Sequence, residues 1–191
     1  VMAAALEAGI NTFCTSGGYL DGREEIALGE ALARIGTPRD QLILLSGSDL
    51  RPNETVASWL DALDASLRRL GTDHLDLYYN AMVQTPAQVR SEVLFEAFDR
   101  ARAAGKVQHL AVSGHHGSLQ QCLEAALDTG RYATFFTKYD FVSYPEQDEL
   151  LHRAAERGIG TMVFKTNAGN RQREIKDLEA GGLSFQQATI R

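Results

Sequence analysis

Apolar residues along the chain alternate between short continuous runs and longer stretches with helical spacing. The short runs are rich in β-branched and aromatic residues and are mostly apolar on both sides, which is typical of parallel strands covered by helices. We predict strands at 9–13, 41–45, 74–79, 106–113, 132–137 and 160–165. The spacing between them predicts helices at 1–8, 23–35, 53–70, 91–104, 119–129 and 146–157, with further helical stretches near 172–180 and 184–191.

Strand and helix follow each other in a regular repeat. Six such units in a row favour an α/β fold of the TIM-type (β/α)8 barrel over a doubly wound sheet. No Gly-x-Gly-x-x-Gly motif follows the first strand, so the main sign of a Rossmann fold is missing. A complete barrel takes about 250 residues, whereas this chain has 191. We therefore expect a single domain over 1–191, an incomplete barrel without its first and last strands.

The composition is that of an ordinary globular protein, with 44% hydrophobic and 23% charged residues. The formal net charge of -6 argues against nucleic acid or an anionic membrane as a partner, because both bind clustered Lys and Arg. No apolar run reaches the roughly 20 residues that span a bilayer, and no secretory signal is visible. The default expectation is a cytoplasmic protein whose N-terminus is missing here. Arginines on helices, such as Arg69, are interpreted as solvated.

Three segments resemble the aldo/keto reductases. The first runs from Ala8 to Leu32 and contains GINTF, GY and GREE; the second is 66–79 (SLRRLGTDHLDLYY); the third is 104–114 (AGKVQHLAVSG). The later stretch 155–169 (AERGIGTMVFKTNAG) is similar to the seventh strand of that family. Together with SGHH at 113–116 it resembles the bacterial predicted aldo/keto oxidoreductases. The resemblance covers essentially the whole chain, in the order and spacing of the family.

This resemblance implies an oxidoreductase that binds NADP(H) or NAD(H) and interconverts a small carbonyl compound and its alcohol. It also implies a catalytic Asp, Tyr, Lys and His at the carboxyl ends of barrel strands. The tyrosine phenol, with a reference pKa of about 10, must give a proton to the developing alkoxide. A lysine held by the aspartate makes that phenol more acidic, and the histidine orients the carbonyl.

Most of this catalytic group is replaced. The tyrosine is present as Tyr19, but Cys14 stands at the Asp position, Gly47 at the Lys position and Ala81 at the His position. Glycine and alanine have no proton to move. Two hypotheses stay open: a weak or altered reductase with Tyr19 as the proton donor, and an inactive member that binds a nucleotide or metabolite as a sensor, scaffold or subunit.

The positions that the resemblance assigns to the cofactor are partly retained. Ser113 and Gly114 stand where the family holds the nicotinamide carboxamide with Ser-Asn, and Phe136 stands at the position of a glutamine. Tyr139 fits the aromatic residue that stacks on nicotinamide. Lys165 ends the last predicted strand, where barrels often bind phosphate; the alternative is a solvated or ion-paired lysine.

Tyr79, His115 and His116 are expected to line a substrate pocket. Cys14 is expected to be buried as a small, inert hydrophobic residue. With the two histidines it could form a soft metal site, but no spacing of three ligands is visible, so we predict no metal. A third hypothesis is that the barrel carries other chemistry around Cys14, His115, His116 and Lys165.

Overall fold

A computed structural model describes residues 2–49, 53–114, 118–139, 147–166 and 173–184. The strands are β1 (Thr12–Cys14), β2 (Ile43–Asp49), β3 (Leu75–Ala81), β4 (Val107–Gly114), β5 (Thr134–Lys138) and β6 (Gly160–Phe164). The helices are α1 (Met2–Glu7), α2 (Arg23–Ile35), α3 (Val56–Leu70), α4 (Pro86–Val89), α5 (Glu92–Ala103), α6 (Leu119–Thr129), α7 (Gln147–Glu156) and α8 (Arg173–Ala180). Short 3-10 turns cover Tyr19–Gly22 and Arg39–Gln41.

The six strands form one parallel sheet in chain order, β1-β2-β3-β4-β5-β6. Each connection between neighbouring strands carries at least one helix, as parallel pairing requires. The sheet curls, with helices on its outer side, into part of a TIM-type barrel. The incomplete barrel that the repeat of strands and helices predicted is confirmed, and every predicted strand overlaps an observed one.

Alternate side chains of each strand point to opposite faces of the sheet, which creates two apolar clusters. The outer cluster packs strand residues such as Leu44, Tyr78, Leu110 and Phe135 under the helices, where Trp59 of α3 meets the Tyr78 ring edge-on at 5.1 Å. The inner face comprises Leu45, Tyr79, Ala81 and Ala111, with Leu77, Met82, Phe136 and Met162 packed against them. This alternation decides which side chains can contribute to a site inside the barrel.

Capping residues set the ends of α3. Thr55 accepts a hydrogen bond from the backbone N–H of Ser58, and the Ser58 hydroxyl accepts one from the backbone N–H of Thr55, so the helix begins at Val56. It begins three residues after the predicted start because this capping box lies inside the predicted range. Gly71 ends the helix with a φ of 68°, in the left-handed region that glycine adopts without strain.

The structure differs from the sequence pattern in its short elements. The helix α4 and the two 3-10 turns were not predicted, because one turn is too short to show an apolar period. The helical stretch predicted at 184–191 lies outside the described residues except for Ser184. Among the helices described, none is both long and apolar enough to cross a membrane.

A buried ion pair joins α2, α3 and β2. The Glu25 side chain has no exposed surface; it binds Arg69 at 2.6 Å and accepts a hydrogen bond of 2.5 Å from the Ser46 hydroxyl. The interpretation of Arg69 as solvated was wrong, because the guanidinium turns inward to neutralise this carboxylate. A Cβ on Gly22 would lie 2.6 Å from Nε of Arg69, so the end of the Tyr19–Gly22 turn packs directly on the pair.

Candidate active site

The carboxyl ends of the parallel strands meet at one end of the barrel, here termed the mouth. Cys14 ends β1, and strand register places Gly47 of β2 beside Tyr79 of β3. Register also places Ser113 of β4 beside Phe136 of β5. Five of the positions singled out in the sequence therefore lie on consecutive strands near the mouth.

The ring of Tyr79 lies against Gly47. A Cβ at Gly47 would come within 2.3 Å of Cδ2 and 2.5 Å of Cε2 of Tyr79, closer than real Cβ contacts. The Tyr79 hydroxyl donates a hydrogen bond of 2.5 Å to the carbonyl oxygen of Thr15. Tyr79 therefore reaches from β3 across β2 to the residue that follows β1, through space that only a glycine at 47 leaves open.

Backbone contacts with β2 hold the segment that carries Tyr19. The Ser16 hydroxyl donates to the Gly47 carbonyl oxygen at 3.1 Å, and the Gly17 N–H reaches the same oxygen at 3.3 Å. The Tyr19 N–H then closes a tight turn onto the Ser16 carbonyl at 3.0 Å. Tyr19 begins its 3-10 turn with 52% of its surface exposed, so its phenol is accessible at the mouth.

Three proton-bearing side chains interact at this place, and all of them are held neutral. Desolvation raises the pKa of the Cys14 thiol to about 11, raises that of Tyr19, and raises that of Tyr79 far above its usual range. Hydrogen bonds from Tyr79 partly oppose the pKa rise of Cys14 and of Tyr19. The mouth thus presents neutral hydrogen-bond donors rather than an ion pair.

Cys14 is exposed, so the expectation that it is buried was wrong. It lies on β1, which pairs on one side only, with β2, in the part of the chain that the structure describes. Protein atoms still crowd the thiol enough to disfavour the thiolate, which explains why an exposed residue has a raised pKa.

The other predicted positions on β3 and β4 differ in what they offer. Ala81 is 7% exposed and belongs to the inner face, where its methyl group adds no hydrogen-bond partner. Ser113 is 8% exposed, and its hydroxyl has no partner among the residues that the structure describes. Gly114 lies against Leu119 and Val83, since a Cβ there would meet both at 3.1 Å. Of the Ser113–Gly114 pair, only Ser113 can offer a side-chain contact.

Aromatic rings line the inner face, and the sequence did not single them out as a group. The rings of Tyr79 and Phe136 meet edge-on at 5.5 Å, and those of Phe136 and Phe164 at 4.9 Å. We term Tyr79, Phe136 and Phe164 the aromatic row. Its signal in the sequence is the period of two along β5 and β6, which places Phe136 and Phe164 on the same face. Lys165 follows the row, exposed, with its ammonium 5.9 Å from the centre of the Phe164 ring.

Tyr139 and the two histidines complete the predicted residues. The Tyr139 hydroxyl donates to the carboxylate of Asp148 in α7, and its N–H bonds the Phe164 carbonyl at 3.4 Å. These contacts hold Tyr139 between β6 and α7. His115 and His116 lie outside the described residues. Within the described ranges no three His, Cys, Asp or Glu side chains cluster as metal ligands would.

The arrangement has a definite chemical capacity. Neutral phenol groups can donate hydrogen bonds to a carbonyl oxygen, and an exposed phenol such as Tyr19 can also give up its proton. Among the residues that the structure describes, no lysine acts on Tyr19 to stabilise its phenolate, and the Tyr79 ring packs against Gly47, the position that the resemblance assigns to the lysine. The carboxylates of Glu24 and Asp49 act in the opposite direction and raise the pKa of Tyr19.

Comparison with known proteins gives a consistent result. The model of the Aldo/keto reductase family matches residues 1–187. An aldo-keto reductase of Mycolicibacterium smegmatis is 35% identical over 117 residues, which cover 59% of this chain and 39% of that protein. The oxidoreductase YrpG of Bacillus subtilis is 26% identical over 209 residues, covering 93% of this chain and 64% of that protein. The chain thus spans less than two thirds of either relative.

Solved structures with the same fold include two that contain a nicotinamide cofactor. An aldo-keto reductase of Klebsiella pneumoniae in complex with NADPH superposes with a TM-score of 0.75 at 25% sequence identity. The match covers 96% of this chain and 66% of that one. An aldo/keto reductase of the same organism, in complex with NADP and acetate, matches with a TM-score of 0.71 at 26% identity, over 95% of this chain and 65% of that one.

Proposed function

Since the chain belongs to the aldo/keto reductase family, we propose that it forms part of an NAD(P)H-linked oxidoreductase that reduces a small carbonyl compound slowly. The observation that supports the proposal is the place of Tyr19, an exposed phenol at the barrel mouth, on a segment that Ser16 and Gly17 bind to the Gly47 carbonyl. Similar structures that contain NADPH or NADP support the choice of cofactor.

The residues at the ends of β4, β5 and β6 fit the nicotinamide half of such a cofactor. Ser113 has a hydroxyl without a partner in the described part of the chain and would hold the carboxamide. Tyr139 would lie against the ring. Phe136 replaces one amide contact with an aromatic face, which weakens polar recognition, and Lys165 is exposed where an anionic group would meet it. When bound, the cofactor supplies the hydride.

Tyr19 supplies the proton in this proposal. A tyrosine phenol is protonated at neutral pH, so Tyr19 can donate a hydrogen bond to the carbonyl oxygen, and desolvation raises its pKa further. The raised pKa also makes Tyr19 a weaker acid toward the negative charge that develops on the carbonyl oxygen. General acid catalysis contributes about 10²–10⁴-fold. Since no described cation acts on Tyr19, we expect a gain at the lower end of that range.

A second candidate is a non-catalytic family member that binds a nucleotide or metabolite as a sensor, scaffold or subunit. The close contact of the Tyr79 ring with Gly47 favours it, because the position of the lysine is filled and not merely vacated. Ala81 favours it as well, since a methyl group cannot orient a carbonyl.

Cofactor titration followed by an activity assay separates the two candidates. NADPH fluorescence is followed as the protein that contains this chain is added, and reduction of a panel of aldehydes is then measured for wild type and Tyr19→Phe. Binding with turnover that falls about tenfold or more in Tyr19→Phe supports the reductase. Binding without turnover supports the non-catalytic member. The absence of NADPH binding contradicts the reductase.

A further inference from the structure

The turn that begins with Tyr19 has an unusual backbone. Leu20 and Asp21 have φ angles of 49° and 54°, and Gly22 follows with a φ of 81°. A left-handed conformation is unfavourable for residues with a side chain, so it persists only where the surroundings fix it. The Leu20 side chain is 59% exposed, and Asp21 is exposed as well. Contacts elsewhere in the turn must therefore hold this backbone in place.

The guanidinium of Arg69 lies against the chain on both sides of Tyr19. A Cβ at Gly22 would lie 2.6 Å from Nε and 3.0 Å from Cζ of Arg69. A Cβ at Gly17 would lie 3.1 Å from Nη2 of the same side chain. Both glycines therefore pack closer to Arg69 than a residue with a Cβ could without a shift, and the chain passes from one contact to the other through Tyr19.

The guanidinium is itself fixed on its far side. It binds the buried Glu25 carboxylate through two nitrogen atoms, and Glu25 is anchored in turn by the Ser46 hydroxyl of β2. A planar guanidinium that binds through two nitrogens has a defined orientation, unlike a single ammonium group on a flexible side chain. Arg69 therefore presents a rigid surface to the two glycines.

Arg69 supports the half of the turn that the contacts with β2 do not reach. Ser16 and Gly17 bind the Gly47 carbonyl oxygen, which fixes the chain before Tyr19. After Tyr19, the Leu20 carbonyl accepts a hydrogen bond of 3.0 Å from Nε of Arg23, an exposed contact between near neighbours. The contact with Arg69 connects this second half of the turn to α3, a distant part of the fold.

We propose that Arg69 is a positioning residue for Tyr19: its guanidinium, fixed by Glu25, holds the turn so that the phenol stays in one place at the mouth. This inference rests on the proposed function, in which Tyr19 is the acid. Proton transfer needs the phenol within hydrogen-bonding reach of the carbonyl oxygen. A displacement of about 1 Å can lower the rate on the order of 10²-fold. The buried ion pair thus contributes to catalysis as well as to stability.

The first test adds a Cβ at Gly22, with Gly36→Ala as the matched control. The two glycines flank α2 and both have a positive φ, 81° and 74°, so alanine is strained at either position. They differ in their surroundings, because a Cβ at Gly36 meets nothing within 4 Å. The environment of Tyr19 is measured without cofactor, by fluorine NMR of protein labelled with fluorotyrosine. Tyr19→Phe assigns the signal, and the signal of Tyr132 is the internal reference.

We expect the Tyr19 signal to shift or broaden in Gly22→Ala and to stay at its wild-type position in Gly36→Ala. The Tyr132 signal should stay in place in both, whereas a general loss of structure would move it as well. We also expect kcat for aldehyde reduction to fall about tenfold to 100-fold in Gly22→Ala, with an unchanged Kd for NADPH. An unchanged Tyr19 signal in folded Gly22→Ala would overturn the proposal.

A second variant examines the guanidinium directly. Arg69→Lys keeps a positive charge beside Glu25 but removes the planar group that contacts the two glycines. Arg68→Lys is its control, since Arg68 is exposed on the same helix. We expect the Tyr19 signal to move in Arg69→Lys and to stay in place in Arg68→Lys. If Gly22→Ala does not fold, this comparison decides, and a wild-type Tyr19 signal in Arg69→Lys contradicts the role of Arg69.

The NMR measurement needs neither cofactor nor turnover, so its result is separate from that of the proposed function. A protein that fails to bind NADPH but shows the change at Tyr19 loses the reductase assignment and keeps the link between Arg69 and Tyr19. Turnover that depends on Tyr19, together with unchanged Tyr19 signals in the variants, keeps the reductase and removes the positioning role.

Discussion

Arg69 binds Glu25 through two of its nitrogen atoms, Nε and Nη2, each 2.6 Å from the same carboxylate oxygen. The other oxygen accepts a hydrogen bond from Ser46, so both oxygens are satisfied at a position with no exposed surface. Gly22, at the end of the turn that begins with Tyr19, packs against the guanidinium. The pair therefore links the helical layer to the segment that carries the proposed acid.

Removing Arg69 is expected to destabilise the fold strongly. Arg69→Met leaves the Glu25 carboxylate buried without its cation, and breaking a buried pair in this way costs about 3–5 kcal/mol. Urea denaturation measures the free energy of unfolding. Arg68→Met is the matched control, since Arg68 is exposed on the same helix and should change stability by less than about 0.5 kcal/mol. Equal effects of the two substitutions would contradict this account of the pair.

A side chain at Gly47 is expected to displace the Tyr79 ring. Gly47→Ala should lower the free energy of unfolding by about 1–3 kcal/mol through overpacking. Gly18→Ala serves as the control, because a Cβ there meets nothing closer than 3.7 Å. Thermal unfolding followed by circular dichroism measures both variants. Equal melting temperatures for the two variants would show that the Tyr79 ring yields without cost.

Restoring the catalytic lysine is expected to fail unless space is made for its side chain. The triple variant Cys14→Asp, Gly47→Lys and Ala81→His keeps the clash with Tyr79, so we expect little gain in reduction of aldehydes. Adding Tyr79→Leu removes the ring and should raise kcat/KM well above that of the triple variant. High activity in the triple variant alone would contradict the packing argument.

The Cys14 thiol is expected to react slowly at neutral pH although it is exposed. Its pKa of about 11 lies above the ordinary value of 9.0, so at pH 7 the thiolate fraction is about 100-fold smaller than for an ordinary thiol. Because only the thiolate is nucleophilic, the rate of alkylation should rise about tenfold per pH unit until the pH approaches 11. Iodoacetamide labelling with mass spectrometry measures this rate, and Cys122, which is buried, gives the internal comparison. A plateau of the Cys14 alkylation rate near pH 8 would contradict the raised pKa of this thiol.

Ser113→Ala is expected to weaken cofactor binding. Loss of one neutral hydrogen bond of about 0.5–1.5 kcal/mol corresponds to an increase in the Kd for NADPH of about twofold to tenfold. Fluorescence titration measures the Kd. Ser118→Ala is the control, because that hydroxyl already donates to the Gln84 carbonyl. An unchanged Kd in Ser113→Ala would remove Ser113 from the proposed cofactor site.

The sequence predicts the six strands and the barrel class because the strands follow from local periodicity and the barrel from the repeat of strand and helix. It does not predict the contact between Gly47 and Tyr79, which depends on the register of β2 against β3. From the sequence, Gly47 was interpreted only as a position without its catalytic residue. The structure shows that its lack of a side chain also leaves room for the Tyr79 ring. The partner of Arg69 is 44 residues away on another helix, so no local pattern indicates that this arginine pairs with a buried carboxylate.

The exposure of Cys14 has a similar explanation. Free cysteines are usually buried, and the sequence around Cys14 gives no contrary signal. Its exposure follows from the place of β1 at the edge of the described sheet, a property of the whole sheet. Likewise, the aromatic row is visible only once neighbouring strands are aligned, since Tyr79 lies on β3 and Phe164 on β6, with two strands between them.

The close packing of the Tyr79 ring against Gly47 also limits which substitutions this barrel can accumulate in evolution. A lineage with this pair cannot regain a side chain at 47 through one tolerated substitution, because the ring already fills the space. A smaller residue at 79 must come first. That substitution removes the hydrogen bond to the Thr15 carbonyl and the ring contact with Phe136. We therefore expect the two positions to be epistatic, with any route to a lysine at 47 passing through a less stable intermediate.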